Sequence, residues 1–177
     1  MRLFVGLELP KEIKNELFKI QKSIPNNLVK VKWVAKKNLH LTLKFLGEID
    51  KEEIEEIKNR LNKIKFKPFE VKLTKFGFFS NSGNVRVLFA ELFPKKNIIN
   101  LQQKIDGELL SLFKNDQKFN PNLTLGRVKA VKKKNEFLAC LEKTKIKPLS
   151  FSVKEFYLIE SKLTKEGPQY KPLFLYS

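Results

Sequence analysis

Two short segments of this chain are near-copies of each other and lie almost half a chain apart. His40-Leu41-Thr42-Leu43-Lys44 is echoed by Asn122-Leu123-Thr124-Leu125-Gly126, 82 residues later. Both alternate polar and apolar residues, which is the period of a half-buried strand. A region patterned as helix then strand precedes each copy. The repeat therefore points to two similar lobes, each presenting one strand to a shared cleft. On a strand alternate residues face the same way. His40, Thr42 and Lys44 are then expected on one face, with Leu41, Leu43 and Phe45 on the other. By the same rule Asn122, Thr124 and Gly126 line up. Strict alternation puts Arg127 on the face opposite Thr124, unless a bulge near Gly126 redirects it.

The rest of the chain reads as mixed helices and strands. Leu3 to Leu7 is a buried strand, and Pro10 opens a helix with Ile13, Leu17 and Ile20 as its apolar stripe. Strands follow at 31–34 and 39–46. Asp50 with Glu53 is a capping pair that starts a helix whose apolar face is Ile54, Ile57, Leu61 and Ile64. Two strands at 69–79 and 85–92 flank the turn 80–84. A third helix carries Ile98, Leu101, Ile105, Leu109 and Leu112. A strand at 123–128, a short helix at 135–142 and strands at 151–160 and 170–176 complete the chain. Short turns favour antiparallel pairing, so the fold class is α+β.

Charge narrows the partners. Lys and Arg number 36 against 19 Asp and Glu, for a net charge of +17 in 177 residues. Such an excess suits a polyanion, most simply nucleic acid, although a lysine-rich surface alone also gives it. Four of the basic residues are arginine, namely Arg2, Arg60, Arg86 and Arg127. An arginine inside a strand suits fork-shaped phosphate recognition. One cysteine, Cys140, rules out an internal disulfide and suits a reducing compartment. With one histidine and no acidic cluster, neither a zinc nor a magnesium site is expected, and no cofactor is implied. No apolar run reaches membrane-span length. A soluble cytoplasmic protein, monomeric and without membrane contact, is expected.

The chemistry of the first strand suits a phosphate. An imidazole exchanges a proton near neutral pH, a hydroxyl bonds a phosphate oxygen, and an ammonium neutralises charge. Taken together, the motifs resemble the paired His-x-Thr-x motifs of the two-histidine (2H) phosphoesterases. The flanks resemble the RNA 2′,3′-cyclic phosphodiesterase branch, also called 2′-5′ RNA ligase. The matching pieces run in order along the chain: Arg2 to Val5, Trp33-Val34, Asn38 to Gly47, Arg86 to Ala90, Pro121 to Arg127, Ser161 to Leu163 and Gly167 to Tyr170.

The resemblance implies a bilobal, pseudo-symmetric fold over residues 1–177, with two antiparallel sheets flanked by helices around a central cleft. One lobe would carry the motif at 40–43 and the other the motif at 122–125. It implies hydrolysis of an RNA 2′,3′-cyclic phosphate end to a 2′-phosphomonoester, with 2′-5′ ligation as a related reaction. His40 matches the proton donor to the 3′-oxygen. Thr42 and Thr124 match residues that hold non-bridging oxygens. Arg127 matches a phosphate contact, and Lys44 and Arg86 are further candidates.

The departure is Asn122, which stands where the pattern has its proton-accepting histidine. An amide has no basic lone pair near neutral pH, and losing a general base costs about 10²–10⁴-fold in rate. Three readings follow. The residue was substituted to trap a ligand; it is natural, with reduced activity or a base supplied by another group; or the chain binds RNA termini or nucleotides without turning them over.

Overall fold

The computed structural model describes residues 1–115, 118–165 and 167–177. Among the described residues nine strands form two antiparallel sheets. The first sheet has the order β3-β1-β8-β9, built from β1 (Arg2–Glu8), β3 (His40–Glu48), β8 (Phe156–Thr164) and β9 (Gly167–Tyr176). The second has the order β2-β6-β5-β4-β7, built from β2 (Val29–Trp33), β4 (Phe69–Asn81), β5 (Asn84–Phe93), β6 (Asn122–Val131) and β7 (Ser150–Val153). Helices α1 (Lys11–Ser23), α2 (Ile54–Leu61), α3 (Lys95–Glu108) and α4 (Lys134–Lys143) complete the α+β fold. No helix among the described residues is long and apolar enough to cross a membrane.

The helices form where the apolar period of the sequence places them. Ile13, Leu17 and Ile20 of α1, Ile57 and Leu61 of α2, and Ile98, Leu101 and Ile105 of α3 are all buried. They join Leu3, Val5 and Leu7 of β1 and the leucines of β3 and β6 in one continuous core that spans both sheets. Each such side chain contributes about 1.5–3 kcal/mol by leaving water. A capping box at Asp50 and Glu53 starts a 3-10 turn (Lys51–Glu53) that runs into α2, as the pair Asp50/Glu53 implies.

The connections exchange strands between the sheets. β2 precedes β3 in sequence but pairs with β6. The expected single strand at 151–160 is broken after Val153: β7 pairs with β4 in one sheet, and β8 pairs with β1 in the other. Both pieces are apolar, and local pattern carries no information about which sheet a strand joins. The 3-10 turn Lys36–Asn38 precedes β3.

The two motif strands share a frame down to individual residues. In the first sheet Glu8, Leu7, Gly6 and Val5 oppose His40, Leu41, Thr42 and Lys44. In the second, Glu91, Ala90, Phe89 and Leu88 oppose Asn122, Leu123, Thr124 and Gly126. One unopposed residue, Leu43 in β3 and Leu125 in β6, breaks the register at the same place in both. Each is a bulge, which shifts the alternation of faces by one.

Candidate active site

The first motif sits at the start of an edge strand of one sheet, and the second at the start of β6 in the other. β3 and β6 pack against each other, and both run from a half-buried polar residue into buried leucines. The sequence places these leucines on the core side and leaves His40, Thr42, Asn122 and Thr124 on the other side, half-buried.

His40 is held on several sides. Its Nδ1 lies 2.6 Å from the backbone oxygen of Asn38, and its Nε2 lies 2.8 Å from Thr42 Oγ1. A carbonyl oxygen only accepts, so Nδ1 carries the proton and Nε2 is the working nitrogen. Asn38 is itself buried and donates from Nδ2 to the Pro168 oxygen at 2.6 Å, which ties the start of β9 to the histidine. The rings of Phe4 and Tyr170 flank the imidazole at 4.9 and 5.0 Å between centroids. Gly6 makes this close packing possible: a Cβ there would stand 2.9 Å from the Leu41 oxygen and 3.2 Å from the Phe4 ring. Burial pushes the His40 imidazole below its usual value of 6.5, the bond to Asn38 opposes that shift, and the nearby Lys14 charge adds to it. The resting histidine is therefore neutral at pH 7, with Thr42 donating its hydroxyl proton to Nε2.

The bulges decide the remaining positions. Beyond Leu43 the burial phase slips, so Lys44 is only 3% exposed and Phe45 is 71% exposed. This corrects the expectation that Lys44 shares the face of His40 and Thr42, with Phe45 opposite. Lys44 Nζ is turned inward, where it pairs with the Asp106 carboxylate of α3 and donates to the Lys114 backbone oxygen at 2.8 Å. Gln102 Nε2 donates to the other Asp106 oxygen at 2.6 Å. A phosphate contact by Lys44 is excluded by this arrangement, since its ammonium is buried against partners of the protein itself.

The same slip in β6 works the other way for Arg127. Leu125 and Gly126 are both buried, Arg127 is exposed and Val128 is buried again. Arg127 thus comes into phase with Asn122 and Thr124 instead of opposing them. Gly126 lies under Trp33 and Val31, whose atoms would be 2.7 and 2.6 Å from an added Cβ. The buried amide of Gln21 clamps this region by donating to the backbone oxygens of Val34 and Leu125 at 2.8 and 2.9 Å. Arg86 is exposed on β5. Asn122 has its amide oxygen buried, with no hydrogen-bond partner among the described residues.

Several of these residues escape a reading of motifs alone. Phe4 and Tyr170 enter the sequence argument only as flanking matches, because nothing local shows that distant aromatic residues meet at one imidazole. Gln21 carries a weak signal: an amide four residues beyond Leu17, on the apolar stripe of α1. Among the described residues no group of three or more His, Cys, Asp and Glu side chains is placed to hold a metal ion.

A histidine with Nδ1 fixed by a backbone carbonyl and Nε2 bonded to a threonine hydroxyl faces a second threonine strand with an arginine in phase. Such an arrangement has the groups needed to transfer a proton and to bind an oxyanion. A family model for LigT-like phosphoesterases matches residues 7–89 and 92–170, so each matched segment contains one motif. The RNA 2′,3′-cyclic phosphodiesterase of Methanocaldococcus jannaschii is 36% identical over 173 residues, covering 97% of either chain. Its counterpart from Archaeoglobus fulgidus is 35% identical over 177 residues, covering 98% of either chain. The crystal structure of E. coli LigT in its apo form superposes with a TM-score of 0.78 at 27% identity, covering 98% of this chain and 95% of that one. The same protein complexed with 3′-AMP gives a TM-score of 0.75. From the matched segments, the near-full-length relatives and the shared fold, the chain is a member of the LigT-like phosphoesterase family.

Proposed function

We propose that this protein hydrolyses RNA ends that carry a 2′,3′-cyclic phosphate and leaves the phosphate on the 2′-oxygen. The observation that carries the reading is the geometry of His40. Its Nδ1 is committed to the Asn38 carbonyl, and its Nε2 and the Thr42 hydroxyl are 2.8 Å apart, so both reach a single phosphoryl group. The curated relatives named for this reaction match over nearly the whole chain.

In this mechanism Thr42 and Thr124 bond the non-bridging oxygens from the two sheets, and Arg127 adds charge-assisted bonds. Water attacks phosphorus in line with the departing 3′-oxygen. His40, protonated in the substrate complex, gives its Nε2 proton to that oxygen as the P–O3′ bond breaks. The phosphate's negative charge favours the imidazolium that this step needs, against the burial that disfavours it. Asn122, on the opposite strand, bonds the attacking water.

The test is turnover of an oligoribonucleotide with a 2′,3′-cyclic end, with the product's phosphate position read by NMR or by phosphatase sensitivity. The expected product is the 2′-phosphate, and His40→Ala is expected to remove turnover while the thermal unfolding profile is kept. A 3′-phosphate product would mean that the donor and acceptor sides are reversed. Tight binding of the cyclic end with no turnover would leave the protein as a binder of RNA termini.

A further inference from the structure

The second motif strand carries an amide where a proton acceptor is needed, and the strand beside it carries a carboxylate at the same level. Glu91 of β5 is the direct cross-strand partner of Asn122. Directly opposed residues of an antiparallel pair project to the same face, with Cβ atoms ~4.5–5.5 Å apart. Glu91 therefore projects to the face that carries Asn122 and Thr124. Its chain neighbours Ala90 and Leu92 are fully buried on the core side, whereas the Glu91 side chain is 21% exposed.

Glu91 of β5 makes an ion pair with Lys75 of β4. Lys75 Nζ lies 3.7 Å away and is itself 68% exposed. A pair this open to solvent holds its partners weakly. The backbone is anchored separately, since Thr74 Oγ1 donates to the Glu91 carbonyl oxygen at 3.3 Å. The amide oxygen of Asn122 is buried and without a hydrogen-bond partner among the described residues.

We propose that Glu91 is the general base of this chain, in the role that a histidine at position 122 has in the family pattern; the proposal rests on the phosphodiesterase reading above. In the step, a water held by Asn122 forms the new O–P bond as Glu91 takes its proton. The P–O3′ bond breaks, and the 3′-oxygen receives the Nε2 proton of His40. The carboxylic acid and the neutral imidazole then exchange protons with solvent to reset the site. Glu8 opposes His40 in the same register, so the carboxylate position belongs to the duplicated frame. In the first half the motif residue can itself carry the proton; in the second it cannot, and the glutamate can.

The experiment uses four proteins on the same cyclic-ended oligoribonucleotide: the parent, Glu91→Gln, Asn122→His and the double variant. The parent is expected to turn over. Glu91→Gln is expected to lose about 10²-fold or more in kcat, with KM little changed and unfolding temperature kept. In the double variant an imidazole is supplied at position 122, and most of the lost rate is expected back. The acid limb of its pH profile is expected at higher pH than the parent's, because an imidazole is protonated sooner than a carboxylate as pH falls. Glu91→Gln turning over at the parent's rate would reduce Glu91 to one half of a surface ion pair. A silent parent beside an active Asn122→His would show that the parent has no base, sinking the Glu91 assignment while the phosphodiesterase reading stands. No turnover in any of the four would sink that reading itself.

Discussion

The tautomer of His40 is fixed by the backbone beside it. Because Nδ1 keeps its proton in a hydrogen bond donated to the Asn38 carbonyl, every proton that the ring exchanges passes through Nε2. Burial holds the imidazole below its usual 6.5 in the free protein. A proton donor must start protonated, so kcat/KM is expected to fall as pH rises through this depressed value, with its basic limb below pH 6.5. Bound phosphate draws the imidazole upward, so the corresponding limb of kcat is expected at higher pH. Paired pH profiles of kcat and kcat/KM test both statements. Activity that climbs with pH across this range, with no basic limb, would make His40 an acceptor instead.

At the scale of elements, the bulge in β3 and the bulge in β6 serve the same purpose by different means. In β6 the residue turned inward is Gly126, and Trp33 fills the space a side chain would need. In β3 it is Lys44, which ties its strand to α3 through Asp106 and to the segment leading toward β6 through the Lys114 oxygen. Both partners of the ion pair are almost fully buried. Removing one of them leaves a buried charge unpaired, so Asp106→Ala is expected to cost about 3–5 kcal/mol of stability. The double change Lys44→Met with Asp106→Leu removes both charges and is expected to recover most of that loss. Denaturant unfolding of the three proteins decides the matter. If Asp106→Ala proved nearly neutral, the pair would not be what holds β3 to α3.

For the molecule as a whole, the charge of +17 sets how RNA is met before any chemistry occurs. Binding that neutralises about three phosphates of a single strand should weaken roughly twentyfold for a fourfold rise in salt. A titration of cyclic-ended RNA at two salt concentrations measures this slope. Affinity that does not change with salt would mean that the basic surface takes no part and that contacts to bases or sugar dominate. The continuous core beneath both sheets keeps the two motif strands in one packed body, so their spacing is not left to a linker.

Much of this was legible in the sequence, because some signals are local. The period of the leucines in α1, α2 and α3, the capping pair at Asp50 and Glu53, and the twin Leu-Thr-Leu strands all follow from residues close in the chain. So does the proximity of His40 to Thr42, which a strand's two-residue repeat guarantees. Tertiary structure decided the rest. A bulge is a mismatch between two strands and does not belong to either alone, so the inward turn of Lys44 and the alignment of Arg127 with Thr124 depend on the registers with β1 and β5. The break between β7 and β8 reflects a choice of sheet that apolar pattern cannot express. The juxtaposition of Glu91 with Asn122 joins residues on different strands, and only the hydrogen-bonded ladder between β5 and β6 sets one opposite the other.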